Sequence, residues 1–159
     1  GSCEYSAREM QSVTPATKCP RCGAKAVRPR QRAGRTMRYR NVAALPIPTE
    51  FPIPTCGRCA AEFLNPATCD QLQAMLFASY QAALRTAAAT LVTTATASVS
   101  QRKLEALIGL SQGYLSGIKS GSRQPSSAFV ALLYLVAQPG AVAELERFFS
   151  FLGFGERNG

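Results

Sequence analysis

The chain has 159 residues and a mass of 17.0 kDa, with 18 Lys and Arg against 9 Asp and Glu, a formal charge of +9, six Cys, and neither His nor Trp. Without His there is no imidazole general base and no Ser–His or Cys–His pair, so any metal ligand must be Cys or carboxylate. No apolar run approaches the roughly 20 residues of a membrane span and no secretory leader is visible, so the expectation is a globular, basic, cytoplasmic protein with enough apolar residues, 47%, to pack a core.

Gly1-Ser2 reads as a cleavage scar, and residues 3–17 as a flexible leader in which Cys3 is a bystander. Residues 18–64 are rich in Pro, Arg and Cys and are expected to form a small zinc-binding β domain. Within them, 38–42 and 46–55 read as strands, the second held to an irregular or edge role by Pro46, Pro48, Pro52 and Pro54. Residues 18–40 hold nine Lys or Arg and no acid. Arg28, Arg30, Arg32, Arg35, Arg38 and Arg40 form a basic arm suited to nucleic acid or an acidic protein face, or a solvated hairpin that only aids solubility.

Cys19-Pro-Arg-Cys22-Gly and Cys56-Gly-Arg-Cys59 are two C-x-x-C pairs separated by 33 residues. Each pair brings two sulfurs to about 3.5–4 Å, and two pairs make a closed tetrahedral four-thiolate shell, which prefers Zn²⁺. Disulfides, a redox dithiol and an iron–sulfur cluster are the rival uses of these cysteines. The expectation is one structural Zn²⁺ per chain on Cys19, Cys22, Cys56 and Cys59. Such a shell has no open position for chemistry, and its net −2 lowers the folded charge from +9 to about +7. Cys69 lies outside the pattern and reads as a buried small apolar residue.

From residue 65 the composition turns alanine-rich and helical. Asn65 and Pro66 form a helix start, and Leu72, Met75, Leu76, Tyr80, Ala83 and Leu84 recur at helical spacing, which predicts a helix over about 66–86. Residues 87–100 read as a linker with a short helix over 90–97, so 65–100 is a connecting helix and linker. The last part, 101–154, holds helical segments 101–108, 111–120, 126–137 and 141–152, punctuated by Gly109, Gly121, Pro125 and Pro139-Gly140.

Leu104, Leu107 and Ile108, a turn at Gly109, Ser111 as N-cap, and then Leu115 and Ile118 have the rhythm of a helix-turn-helix. An ordinary α-hairpin is the rival. The second helix, 111–120, would enter the major groove. Ser111, Gln112, Gly113, Tyr114 and Ser116 are the candidate DNA contacts, with Arg102, Lys103, Lys119 and Arg123 as phosphate clamps. The aromatic-rich end, with Phe148, Phe149 and Leu152, reads as a homodimer interface that sets two half-sites roughly 34 Å apart. The rival there is a helix that closes the core.

The order of these motifs resembles the MqsA antitoxin family with its YgiT-type zinc domain. The resemblance spans roughly 18–137 and rests on the CPxCG knuckle, Arg38-Tyr39-Arg40, the second C-x-x-C with Phe63 after it, a long helix and the helix-turn-helix. It implies zinc on the four cysteines, a recognition helix at 111–120, and a bacterial DNA-binding regulator that dimerises, represses its own promoter and can bind a partner toxin. Glu105 departs from the pattern, standing where Ala usually allows close helix approach, as do Gly113 and Gly117 in the second helix. Those glycines leave Gln112 as the only bidentate base reader there. The expected fold class is therefore α+β: a small N-terminal zinc-ribbon-like β domain joined by a long helix to an all-α helix-turn-helix domain. An adaptor that grips an acidic protein through the basic zinc domain is the alternative. No nucleophile–base pair or phosphate-cradling loop is present, so the chain is not expected to be an enzyme.

Overall fold

Four short strands open the fold, and prolines and one left-handed turn set their limits. In the computed structural model, which describes residues 18–153, these are β1 (Val27–Arg30), β2 (Thr36–Tyr39), β3 (Val42–Pro46) and β4 (Ile53–Cys56). They make two separate two-stranded antiparallel sheets, with the β2–β3 hairpin nested inside the β1–β4 pair. The stretch 38–42 is not one strand. Arg40 adopts φ 51°, a left-handed conformation that turns β2 into β3. Nor is 46–55 continuous: β3 stops at Pro46, one more cross-strand bond runs from the Ile47 amide to the Arg35 carbonyl at 2.9 Å, and the next strand begins at Ile53.

Helix α1 runs unbroken from Pro66 to Ala95, 30 residues. The Asn65 side chain accepts the Thr68 amide at 2.7 Å and caps its start. The linker expected after 86 is helix instead. Thr90, Thr93 and Thr94 each donate a hydroxyl hydrogen bond to the carbonyl four residues back, which satisfies the side chain without leaving the helix. Leu72, Leu76 and Tyr80 are buried in its first part, and Ala88, Val92 and Ala95 in its second. Four further helices follow: α2 (Gln101–Leu107), α3 (Tyr114–Ser120), α4 (Ser127–Val136) and α5 (Ala141–Gly153).

The chain divides into two compact units after Tyr80. The metal-site end of the first unit is buried around Cys19, Val27, Cys56 and Phe63. The second unit has a core of Ala88, Val92, Ala95, Leu104, Leu115, Ile118, Leu133 and Val136. The molecule is thus α+β, with small sheets first and helices after. Among the described residues, no single helix is long and apolar enough to cross a membrane. The leader expected over 1–17, Cys3 with it, and Phe154 lie outside the described residues.

Candidate metal centre and the α2–α3 face

The two cysteine pairs adopt the same backbone. In the first, the Gly23 amide donates to the Cys19 carbonyl at 2.7 Å and the Cys19 amide to the Ala24 carbonyl at 2.8 Å. In the second, Ala60 donates to Cys56 at 3.0 Å and Cys56 to Ala61 at 2.8 Å. The fifth position of each turn is left-handed, Gly23 at φ 73° and Ala60 at φ 56°. Gly57, the glycine between the cysteines, does not have this role; it aligns with Pro20. Strand pairing of Val27 with Cys56, and the Gly57 amide on the Ala26 carbonyl, bring the knuckles together.

All four sulfurs lie within 4.8 Å of one another. Cys19 and Cys59 approach to 3.6 Å, Cys22 and Cys56 to 3.7 Å, and all four are free thiols, so the disulfide alternative does not hold. A tetrahedron with sulfurs about 2.3 Å from a central ion has edges of about 3.8 Å. The cluster is therefore compatible with a tetrahedral metal site for one ion. Its proton affinities are split. The Cys59 amide, helped by that of Arg58, outweighs burial and holds the Cys56 thiol down to about 6. At Cys22 the Ala24 amide lowers the pKa, but burial and the Cys19, Cys59 and Cys56 sulfurs together push it up to about 11. One sulfur is thus a thiolate at neutral pH, while another holds a proton that an incoming cation must displace. Cys69 is half-buried and disulfide-bonded, so it is neither a buried apolar filler nor a fifth ligand.

The six arginines of the basic arm do not act as one set. Arg35 is buried, donating through Nε to the Arg32 carbonyl at 3.2 Å and through Nη2 to that of Phe51. The Arg40 guanidinium lies 5.6, 5.7 and 5.5 Å from the ring centroids of Tyr39, Phe77 and Tyr80, a cation–π contact that fastens the hairpin to α1. Tyr80 adds a 2.7 Å hydrogen bond to Asn41. Arg32 pairs with Glu62 at 3.2 Å. Arg28, Arg30 and Arg38 are exposed.

In the helical unit, Ser111, Gln112 and Gly113 form a turn and α3 begins only at Tyr114, so the helix is shorter than the 111–120 read from sequence. Its N-cap is Gly113 at φ 83°, which has no side chain to cap with. Glu105 replaces the missing cap. Its carboxylate, 2% exposed, accepts the Leu115 amide at 3.0 Å through Oε1 and the Gly113 amide at 3.1 Å through Oε2. Gln101 donates to Glu105 Oε1 at 3.3 Å and to the Ser116 hydroxyl at 2.7 Å, joining α2 to α3. Sequence spacing does not reveal this role, because the amides lie eight and ten residues downstream.

Gly117 also has a packing reason. A Cβ there would meet Arg123 Cδ at 2.9 Å, because Arg123 folds across α3 and stacks 4.9 Å from the Tyr114 ring. Tyr114 is half-buried and packs edge-on against Phe129. Lys103 pairs with Glu146 at 2.7 Å. Gln112, in the turn, and Ser116 and Lys119, on α3, are exposed while Leu115 and Ile118 are buried, and Arg102 is exposed on α2.

Helices α4 and α5 meet at a 101° bend and leave an apolar surface uncovered. Phe148 is 53% exposed, Phe149 44% and Leu152 53%, with Tyr134, Leu135 and Phe151 also open. Phe149 borders a depression of ≈ 450 Å³ lined by Ala106, Leu107, Ile108 and Gly109. No family model matches the chain, and neither a curated protein nor a solved structure does.

Proposed function

We propose that the chain is a DNA-binding transcriptional regulator of the antitoxin-like, MqsA type, with a zinc-ribbon first unit and a helix-turn-helix in the second. The observation that carries the reading is the anchored α2–α3 pair. A buried carboxylate fixes the start of α3 while Gln112, Ser116 and Lys119 stay exposed. Gln112 is the base-reading side chain, through its bidentate amide, and Lys119 and Arg102 meet phosphates. Lys103 and Arg123, engaged with Glu146 and Tyr114, contribute mainly by holding the helices in place.

One Zn²⁺ per chain sits on Cys19, Cys22, Cys56 and Cys59 and holds the first unit together; four protein ligands leave no site for a substrate. The sulfur spacing supports a single ion over a larger cluster. The exposed α4–α5 aromatics pair two chains, so that two α3 helices address one duplex.

Fluorescence anisotropy tests this reading with random duplex DNA at low salt and with the DNA upstream of the coding sequence. Binding is expected, with preference for the upstream fragment, and Gln112→Ala with Lys119→Ala should abolish that preference. No binding to either DNA at low salt rejects the regulator.

A further inference from the structure

The nine cations of 18–40 are not equally available. Arg35 is buried, and Arg40 and Arg32, though exposed, are engaged with aromatic rings and with Glu62; six others are exposed outside such contacts: Lys18, Arg21, Lys25, Arg28, Arg30 and Arg38. Arg58 adds a seventh. Both knuckles carry Arg just before the second cysteine, Arg21 in one and Arg58 in the other. Arg28 and Arg30 lie two residues apart on β1, so they share a face and stand about 7 Å apart. On β4 that face continues through Thr55, opposite Arg28, towards Gly57. The Arg30 guanidinium reaches along it to 3.6 Å from where a Gly57 Cβ would be, next to Arg58. Arg28 and Arg30 thus lie beside the second knuckle, in which the exposed Arg58 follows Gly57.

Counter-charge for the metal site does not account for these arginines. Residues 18–80 hold ten Lys or Arg against three acids, Glu50, Glu62 and Asp70. A four-thiolate zinc site takes up only about two of that surplus. Two absences among the described residues then select the partner. No large hydrophobic residue is exposed in 18–64, so these arginines lack the aromatic and aliphatic anchors that accompany Arg at the core of protein interfaces. They equally lack an exposed aromatic platform on which single-stranded bases would stack. Phosphate contacts require neither, only positive charge.

We propose that the zinc unit is itself a nucleic-acid-binding surface, in which Arg28, Arg30 and Arg58 contact the phosphate backbone of duplex DNA without regard to sequence. The inference rests on the DNA-binding reading of the chain but places a second contact outside α3. It gives affinity and salt dependence, while α3 gives sequence preference.

The test is the salt dependence of full-chain binding to a random duplex between 50 and 200 mM salt, about the range in which phosphate contacts dominate. Arg28→Gln/Arg30→Gln/Arg58→Gln is expected to reduce the slope of log K against log salt by about two to three, at about 0.9 per contact. Metal content should stay at the wild-type level. The same three positions changed to Lys should keep most of the slope, which a purely structural role for the guanidinium groups would not allow. Gln112→Ala/Lys119→Ala should lose preference for the upstream fragment yet retain the salt-sensitive component. An unchanged slope in the Gln variant, loss of its metal, or stronger competition by polyglutamate than by unlabelled duplex overturns the proposal. If the Gln variant is unaffected and the α3 variant loses all binding, this inference fails and the regulator stands. If the Gln variant loses all binding and the α3 variant is unaffected, this inference stands and the role of α3 fails.

Discussion

Glu105 shows how far a single residue's role depends on its surroundings. In sequence it is a charged intrusion at a position suited to a small residue. In the structure it satisfies two amides at the start of a helix whose own N-cap is glycine. Glu105→Ala leaves the Leu115 amide buried and unpaired and returns that of the exposed Gly113 to water, at a cost of about 2 kcal/mol. Glu105→Gln should be milder, because the amide oxygen can still accept from Leu115 while only the second bond is lost. Denaturant unfolding followed by circular dichroism checks this. An alanine variant as stable as the wild type would show that the carboxylate does not anchor α3. The cysteines lie at the opposite extreme of legibility. Their chemistry is carried by a four-residue spacing, and the structure brings together the same four sulfurs that the sequence marks. Glu105, Arg40 and Gly117 act on partners far along the chain, which no local pattern discloses.

Elements follow the sequence pattern where one local signal dominates and depart from it where two compete. Asn65-Pro66 marks the start of α1 because capping is local. Its end lies beyond the 86 that the sequence predicts, a prediction set by β-branched threonines, which lower helix propensity. Their hydroxyls bond back to the preceding turn, and Ala88, Val92 and Ala95 bury the same segment in a core, which outweighs propensity. The strands depart from the pattern similarly, because a turn built on Arg40 rather than glycine gives no compositional sign. The repeated knuckle shows a second such turn, at Ala60. Gly23 occupies the equivalent position in the first knuckle without strain, while Ala60 holds φ 56° with a Cβ. Ala60→Gly relieves a left-handed penalty of about 1–2 kcal/mol and adds backbone entropy of about 0.5–1 kcal/mol to the unfolded chain. A net gain of about 0.5–1 kcal/mol is expected, read as a higher midpoint of thermal unfolding of the zinc-loaded protein. Gly23→Ala should lose a similar amount. Stabilities unchanged in both would mean that the two knuckles do not share this strain.

At the scale of the whole molecule, the two units differ in whether cysteine enters the core. The metal-site end of the first unit has two of its own candidate ligands, Cys19 and Cys56, among its four buried core residues, and its sheets have two strands each. Two-stranded sheets are marginal in water, and although Leu45, Ile47, Phe51, Ile53, Leu72, Leu76 and Tyr80 are also buried in this unit, a metal cross-link at the knuckles is expected to add folding free energy there, as in small zinc domains. The second unit has an eight-residue buried core that includes no cysteine. Chelation should therefore unfold the molecule unevenly. Hydrogen exchange on the chelated full chain is expected to lose protection across 18–64 and keep it across 88–136. The effect should depend on pH in a definite direction. Cys22, pushed up to about 11 without metal, is protonated throughout the neutral range, so metal binding must release its proton. Cys56, held down to about 6, releases little above that pH. Metal affinity should then rise at least about tenfold per pH unit between pH 6.5 and 8, and chelation should succeed most easily at the acid end. Simultaneous loss of protection in both units would show one cooperative fold. An affinity independent of pH would show that Cys22 binds no proton in the metal-free site.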